Sequence, residues 1–198
     1  GLLWLSFLLL SGLPLRHLII FVLVATALGI FGWYNLLAPY QKDRIIGLVN
    51  PDRDLLGINW NVNQAKIAIG SAGFWGKGYG QGTQAQLGFL PEAHSDFIYS
   101  ALIEEWGIAS GVAYLLIFTY FIFIILKIGV QSDTNFDRFV VLGAATIFFV
   151  HFAINIGSVT GLFPVVGLPL SFMSYGGSNL VSSFFLLGMI YSIAGRSK

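Results

Sequence analysis

The stretch FVVLGAATIFFVHFAINIGSVTGLFPVVGLPLSFMSYGGSNLVSSFFLLGMIYSIAG, residues Phe139 to Gly195, contains no Asp, Glu, Lys or Arg. A membrane-spanning helix needs about 20 apolar residues to cross about 30 Å of hydrocarbon. This stretch is long enough for two spans, which we place at 139–159 and 178–194 with a Pro- and Gly-rich connection between them. An uncharged run of this length decides the fold class, because it identifies a membrane protein.

The composition of the whole chain agrees with this assignment. Hydrophobic residues make up 56% of the chain and charged residues only 10%, whereas soluble domains carry about 25% charged residues. The net charge of +1 says nothing about nucleic acid, and no basic cluster indicates a nucleic-acid partner, so we expect none. The absence of Cys excludes disulfides and thiolate metal sites. Because the chain opens with Gly1 and has no basic n-region, we expect a piece of a longer protein rather than a signal peptide.

Hydropathy divides the rest of the chain in the same way. We predict a partial span at 2–13, full spans at 18–37 and 97–126, and a large outer loop at 38–95. The sequence therefore predicts an all-α, polytopic membrane helical bundle, in which residues 1–198 form one part of a single domain. Basic residues near span ends mark the cytoplasmic side; those used here are Arg16, Lys127, Arg138, Arg196 and Lys198. This orientation puts the 38–95 loop outside.

The outer loop contains one helical pattern. Val62, Ala65, Ile69 and Ala72 fall on one face, and the neighbouring residues are polar. This pattern predicts a short helix that lies at the membrane interface or dips back into the protein.

Carboxylates gather where the outer loop meets the second full span, 97–126. We place a helix start near Ser95, with Ser95 or Asp96 as N-cap. Glu104 and Glu105 would then lie about 12–14 Å deeper along the helix, inside the hydrocarbon. Lipid-facing charge is costly, so the two glutamates either form structural hydrogen bonds with other helices or act as a proton relay. Asp96 is either a helix cap or a catalytic group.

Two glycine-rich segments could approach a ligand. GSAGFWGKGYGQGTQ, residues 70–84, carries one cation, Lys77, but it lacks the Ser or Thr that follows the lysine of a Walker loop. The alternative is a mobile, solvated loop. The segment 161–180 offers Ser174, Ser178 and Asn179 to a cavity, or is an ordinary external turn.

His151 and Asn155 stand one helical turn apart on the span before that segment. We expect them to hydrogen bond to each other or to other helices rather than to bind a metal, because the three histidines of the chain show no ligand spacing.

Seven stretches follow one another along almost the whole chain: PYQKDRI (39–45), NPDRDLLG (50–57), NQAKIAIGSAGFWGKG (63–78), GTQ (82–84), LPEAHSDFI (90–98), EEWG (104–107) and GLFPVVGLPLSFMSYGGS (161–178). Together they resemble the SEDS family (shape, elongation, division and sporulation). WGKG combined with GTQ is more similar to the RodA-type elongation branch than to the FtsW division branch. The departures are mild: Ser95 replaces a usual Thr, Ser171 a usual Pro and Ala72 a common Gly.

The resemblance covers only the C-terminal half of the family's sequence, so we expect this chain alone to be inactive. For the whole protein it implies a peptidoglycan glycosyltransferase of the bacterial cytoplasmic membrane with its active site outside. Such an enzyme polymerises lipid II into β-1,4 glycan strands during elongation and cell-shape maintenance and releases undecaprenyl diphosphate. The implied partners are a class B penicillin-binding protein, which is a transpeptidase, and the elongation machinery.

The resemblance also implies roles for particular residues. The essential aspartate of the family matches Asp96, and an inverting displacement needs a base for the acceptor 4-hydroxyl and positive charge for the diphosphate. We expect Asp96 to be that base. Lys77 or a divalent cation (Mg²⁺ or Mn²⁺) near Asp96 would neutralise the diphosphate, and Asp96 could instead bind that metal. Further substrate contacts are expected from Thr83, Gln84, Glu92, His94, Ser174 and Ser178.

Two other functions fit the same residues. Broken helices and intramembrane carboxylates suit a transporter that flips a lipid-linked sugar, although the polar residues gather on the outer side rather than at the midplane. A non-catalytic scaffold that activates a penicillin-binding protein is the second alternative.

Overall fold

The computed structural model describes residues 15–49 and 59–196. Regular structure in these ranges is entirely α-helical, which confirms the predicted fold class. In chain order the helices are α1 Leu15–Asn35, α2 Pro39–Val49, α3 Trp60–Ser71, α4 Thr83–Gln86, α5 Ile98–Gln131, α6 Asn135–Thr160 and α7 Gly177–Arg196. The predicted partial span at 2–13 lies outside the described residues.

Three of these helices, α5, α6 and α7, are long and apolar enough to cross a membrane, with mean hydropathies of 2.3, 2.2 and 1.4. They lie at the predicted spans 97–126, 139–159 and 178–194. α1 lies at the predicted span 18–37 and contributes a shorter apolar stretch, Ile19–Asn35. α6 begins earlier than predicted because Thr134 caps it: the Thr134 hydroxyl accepts from the Asp137 N–H at 3.1 Å and donates to the Asp137 carboxylate at 2.7 Å.

α5 is interrupted at Gly107, which has φ 83° and ψ 173°. The loop that contains Gly76 crosses the helix at this break, and a Cβ on either glycine would collide with the backbone of the other segment. The broken helix and the loop exchange four backbone hydrogen bonds: Lys77 N to Glu104 O (2.9 Å), Gly78 N to Glu105 O (3.0 Å), Ile108 N to Gly73 O (3.1 Å) and Ala109 N to Phe74 O (3.3 Å). The loop therefore satisfies the polar groups that the break exposes.

The break divides α5 into two helical pieces, with the two glutamates in the first piece. Residues 108–131 alone extend for about 36 Å at about 1.5 Å per residue, which is enough to cross the hydrocarbon core. Glu104 and Glu105 belong to the shorter helical piece before the break. The helix at the predicted span 97–126 is therefore broken at Gly107, and the depth of both glutamates in the membrane stays a prediction.

The short helix α3 packs against α5 and α6. Gln64, Ala65 and Ala68 are buried in it, and Ala72 just beyond its end is also buried. The sequence predicted a helix that lies at the membrane interface or dips back into the protein. The packing of α3 agrees with the second alternative. The helix thereby joins a core cluster around Phe97 that lies beneath the outer loop.

A second core cluster holds the spanning helices together. It is centred on Phe148 and Ile125, which are almost fully buried. Phe172, from the connection between α6 and α7, adds its ring 5.5 Å from the ring of Phe148 and 5.8 Å from that of Phe121. Phe172 has a φ of 66°, which is costly for a bulky residue. Its ring packing therefore fixes the course of the connection over the helix ends.

Candidate active site

Asp96 lies in an irregular turn, residues 92–97, that leads into α5. Glu92 has a φ of 55° in this turn, and its carbonyl accepts from the N–H groups of Ser95 (3.1 Å) and Phe97 (3.2 Å). The prediction that Ser95 or Asp96 caps the helix was wrong, because Phe97 occupies the N-cap position without a side-chain bond. The Ser95 hydroxyl instead donates to the Glu92 carboxylate at 2.6 Å. The Asp96 carboxylate has no hydrogen-bond or ion-pair partner among the described residues.

The surroundings of Asp96 come from α6 and from the connection after it. Asn155, which is 3% exposed, donates its Nδ2 to the main-chain oxygens of Asp96 (2.9 Å) and Leu168 (2.8 Å). A Cβ at Gly167, where φ is 71°, would lie 3.3 Å from Asp96 Oδ2. Asp96, Asn155, Val165 and Gly167 help to line a cavity of about 10 Å³. We call this cavity the Asp96 niche.

The connection between α6 and α7 is tied to backbone carbonyls of the Asp96 turn by one side-chain and one backbone hydrogen bond. The Ser174 hydroxyl donates to Ser95 O at 2.6 Å and accepts from Leu170 N at 2.8 Å. The Tyr175 N–H donates to His94 O at 2.8 Å. The segment 161–180 is therefore not an ordinary external turn, because it is packed against the chain that carries Asp96.

The surroundings of the turn increase the proton affinity of the Asp96 carboxylate. Burial raises the pKa of Asp96 above its usual range, and the negative charge of Glu92 raises this pKa further. A carboxylate with a raised pKa is a stronger base, which suits a group that removes a proton from a hydroxyl.

Glu104 is the centre of a second polar group. It is fully buried, and its Oε1 accepts from Lys77 Nζ at 2.8 Å, from the Thr83 hydroxyl at 3.1 Å and from Gln84 N at 2.9 Å. Its Oε2 accepts from Ala85 N at 3.2 Å. Lys77 Nζ also donates to the Thr83 hydroxyl at 2.8 Å. We call these residues the Glu104 cluster; it ties the glycine-rich loop and α4 to α5.

The predicted site residues thus fall into two groups. Glu92, His94 and Ser95 belong to the turn of Asp96, and the Ser174 hydroxyl bonds to this turn at Ser95 O. Lys77, Thr83 and Gln84 belong to the Glu104 cluster instead. Glu105 accepts from Gln86 Nε2 at 3.1 Å, and Ser178 is exposed at the start of α7. The roles of all these residues in substrate binding stay predictions.

Sequence reasoning did not connect Asn155 or Gly167 with Asp96. The predicted alternative of a bond between Asn155 and His151 is not what the structure shows, since Asn155 Nδ2 donates to two other segments and His151 Nδ1 is buried without a partner in the described part. An amide within an uncharged span was nevertheless a usable signal, because a buried polar group without a partner is costly.

The described residues offer few ligands to a divalent cation at Asp96. No three His, Asp or Glu side chains come together in the described ranges to hold a metal. Mg²⁺ is often held by one or two carboxylates together with substrate phosphates and water. Asp96, with Glu92 in the same turn, fits that pattern, so such an ion would rely on the diphosphate for its remaining ligands.

Fold and site together define a polytopic α-helical membrane protein with a carboxylate in an irregular turn beside its spanning helices. The family model for the FtsW, RodA and SpoVE proteins, described as cell cycle protein, matches residues 1–198. This chain belongs to that family, and the predicted membership of the SEDS family is confirmed.

Three individual relatives support the same family assignment. The chain is 41% identical over 189 residues to the peptidoglycan glycosyltransferase MrdB of Escherichia coli K12, covering 96% of this chain and 51% of the relative. It is 38% identical over 172 residues to the peptidoglycan glycosyltransferase RodA of Treponema pallidum, with coverages of 87% and 39%. Identity to the stage V sporulation protein E of Bacillus subtilis is 34% over 190 residues, with coverages of 95% and 50%. The chain thus spans about half the length of these relatives or less.

A solved structure shares the fold. It describes a peptidoglycan synthase complex that coordinates polymerization and crosslinking, and it matches with a TM-score of 0.72 and 27% identity. The match covers 94% of this chain and 51% of that chain.

Proposed function

We infer that this chain supplies the outer catalytic part of a peptidoglycan glycosyltransferase that polymerises lipid II, with Asp96 as general base. One observation carries this proposal: the Asp96 carboxylate stands outside the spanning segment of α5, is free of partners among the described residues and has a raised pKa. The names of the MrdB and RodA relatives support the reaction class.

The proposed step is a single inverting displacement. The acceptor sugar 4-hydroxyl attacks the anomeric carbon of the donor as Asp96 takes the hydroxyl proton. A new C–O bond forms, the bond from the anomeric carbon to the diphosphate breaks, and undecaprenyl diphosphate leaves with the electron pair. The leaving group needs charge neutralisation rather than a proton, so a second acidic carboxyl is unnecessary.

Two sources of that neutralising charge are proposed. Lys77 is the predicted cation, and its ammonium group is paired with the buried Glu104 in the structure, with 24% of the Lys77 side chain exposed. A divalent cation shared between Asp96 and the diphosphate is the alternative. Polymerisation that continues in excess chelator supports Lys77.

The proposed orientation puts Asp96 on the extracytoplasmic face. Lys127 and Arg138 flank the short connection between α5 and α6, and basic residues favour the cytoplasmic side. Asp96 is at the opposite end of α5. A class B penicillin-binding protein of the elongation machinery is the proposed partner, since the matched solved structure is of a synthase complex that joins polymerization to crosslinking.

The test is to incubate the purified whole protein with lipid II in detergent, where there is no second leaflet and no partner synthase. Glycan polymer in this assay supports the enzyme. Transfer of lipid II across vesicles without polymer would favour the transporter. Polymer that appears only when a penicillin-binding protein with an intact transferase is added would favour the scaffold.

A further inference from the structure

We propose that Asn155 is a positioning residue for Asp96: its side-chain amide fixes the Asp96 main chain against the connection at Leu168, and its Oδ1 faces the Asp96 niche. This inference rests on the proposed function, because it assigns Asn155 a role in the same reaction. Nothing in the sequence motifs that identify the family requires it.

The two hydrogen bonds of Asn155 use both protons of its amide. Nδ2 lies 2.9 Å from Asp96 O and 2.8 Å from Leu168 O, which belong to segments that are 59 and 13 residues away along the chain. The amide therefore joins the turn before α5 to the connection after α6. An amide nitrogen can hold two carbonyl oxygens in this way because it is a double donor.

The remaining atom of the amide points to the same conclusion. Asn155 Oδ1 is buried and has no hydrogen-bond partner among the described residues. Asn155 and Asp96 both line the niche, whose volume of about 10 Å³ is close to that of a single water site. A buried acceptor without a partner is costly, so we expect a water at this position that donates to Asn155 Oδ1 and to the Asp96 carboxylate.

This arrangement sets the position of a group that must meet an incoming hydroxyl. Gly167 lies close to Asp96 Oδ2, since a Cβ at this position would be 3.3 Å away. A displacement of about 1 Å at a reacting group can lower a rate by about 10²-fold. Loss of the Asn155 amide would therefore act on turnover through the position and burial of Asp96.

Ser158 provides a matched control. It lies one turn later on α6, and its hydroxyl oxygen is 2.7 Å from Ile154 O and 3.1 Å from Pro164 O, so that its single proton can be donated to either carbonyl. Ser158 also lines the Asp96 niche but makes no bond to the Asp96 turn. Ser158→Ala therefore alters the connection and the niche without releasing the Asp96 main chain. A purely structural role for the connection would make Ser158→Ala and Asn155→Leu behave alike.

The experiment measures lipid II polymerisation by the whole protein carrying Asn155→Leu, Asn155→Ala or Ser158→Ala, with KM, kcat and the pH profile of kcat. Asn155→Ala removes both donors without adding bulk or charge, so it is the second variant if Asn155→Leu does not fold. For either Asn155 variant we expect kcat to fall about 10–100-fold with KM changed less than about threefold. Without the Asn155 bonds Asp96 should be less buried, so its pKa should fall. The acidic limb of the pH profile should therefore shift to lower pH. Ser158→Ala should stay within about threefold of the wild-type kcat.

The double variant Asp96→Asn/Asn155→Leu separates the possible failures. If Asn155 acts through Asp96, the double variant is no slower than Asp96→Asn alone. Additive losses, an unmoved acidic limb or equal losses in Ser158→Ala would overturn the positioning role. Wild-type kcat in an Asn155 variant, when Asp96→Asn is inactive, would refute this inference and leave the proposed function standing. Wild-type activity in Asp96→Asn would refute the proposed function itself.

Discussion

Removal of Lys77 should destabilise the protein even though the side chain lies in a glycine-rich loop. Glu104 is fully buried and accepts four hydrogen bonds, of which the bond from Lys77 is the ion pair. Removing one partner of a buried pair costs about 3–5 kcal/mol. Three donors remain in Lys77→Met and Lys77 is partly exposed, so we expect a loss of about 2–3 kcal/mol in the free energy of unfolding.

The complementary variant should have a similar cost for a different reason. In Glu104→Gln one carboxylate oxygen is replaced by an NH₂ group. This donor then faces other donors, either Ala85 N or Lys77 Nζ and Gln84 N. We again expect about 2–3 kcal/mol. The double variant has no buried charge, so its loss should be smaller than the sum of the single losses by about 1–2 kcal/mol.

The measurement is unfolding of the purified protein by SDS titration in mixed micelles, followed by tryptophan fluorescence. Lys66→Met is the control, because Lys66 is exposed on α3 and has no ion pair in the described ranges; its effect should be within about 0.5 kcal/mol. Losses for Lys77→Met equal to those of this control, or strict additivity in the double variant, would refute the assignment of Lys77 and Glu104 as a buried stabilising pair.

Three further predictions address the break, the base and the core. Gly107→Ala should prevent correct insertion of the loop, because its φ is 83° and its Cβ would meet Phe74 O; the thermal midpoint should fall well below that of Gly70→Ala, where the added Cβ has nothing within 4 Å. Glu92→Gln should lower the pKa of Asp96, since the Glu92 charge raises it, so the acidic limb of the polymerisation rate should move to lower pH; a shift to higher pH would contradict this. Phe172→Ala should cost about 3 kcal/mol on SDS unfolding, because the ring packs among three helices; a loss below about 1 kcal/mol would contradict it.

The helical architecture was predictable from hydropathy because apolar length is a local property of the sequence. The spans at 139–159 and 178–194 required only the absence of charge. The break at Gly107 was not predictable in the same way, since glycine is tolerated in membrane helices. The break depends on the loop around Gly76, 31 positions earlier, which forms hydrogen bonds with the backbone groups on either side of the break.

The candidate site was predictable only in part for the same reason. Asp96 stood out through its position and through the family resemblance. Lys77 was expected to face a diphosphate, but its pairing with Glu104 joins residues 27 positions apart, and no local pattern reports such a contact. The link from Asn155 to Asp96 spans 59 positions and depends on how the connection folds over the helix ends.

The central claim is that Asp96 is the base that takes the proton of the acceptor hydroxyl. The most direct measurement is the rate of lipid II polymerisation by purified Asp96→Asn protein, compared with Asp133→Asn, which removes an exposed carboxylate between α5 and α6. We predict a loss of about 10²–10⁴-fold for Asp96→Asn, the usual contribution of general-base catalysis, and no more than about a twofold change for Asp133→Asn. Equal rates for the two variants would contradict the assignment of Asp96.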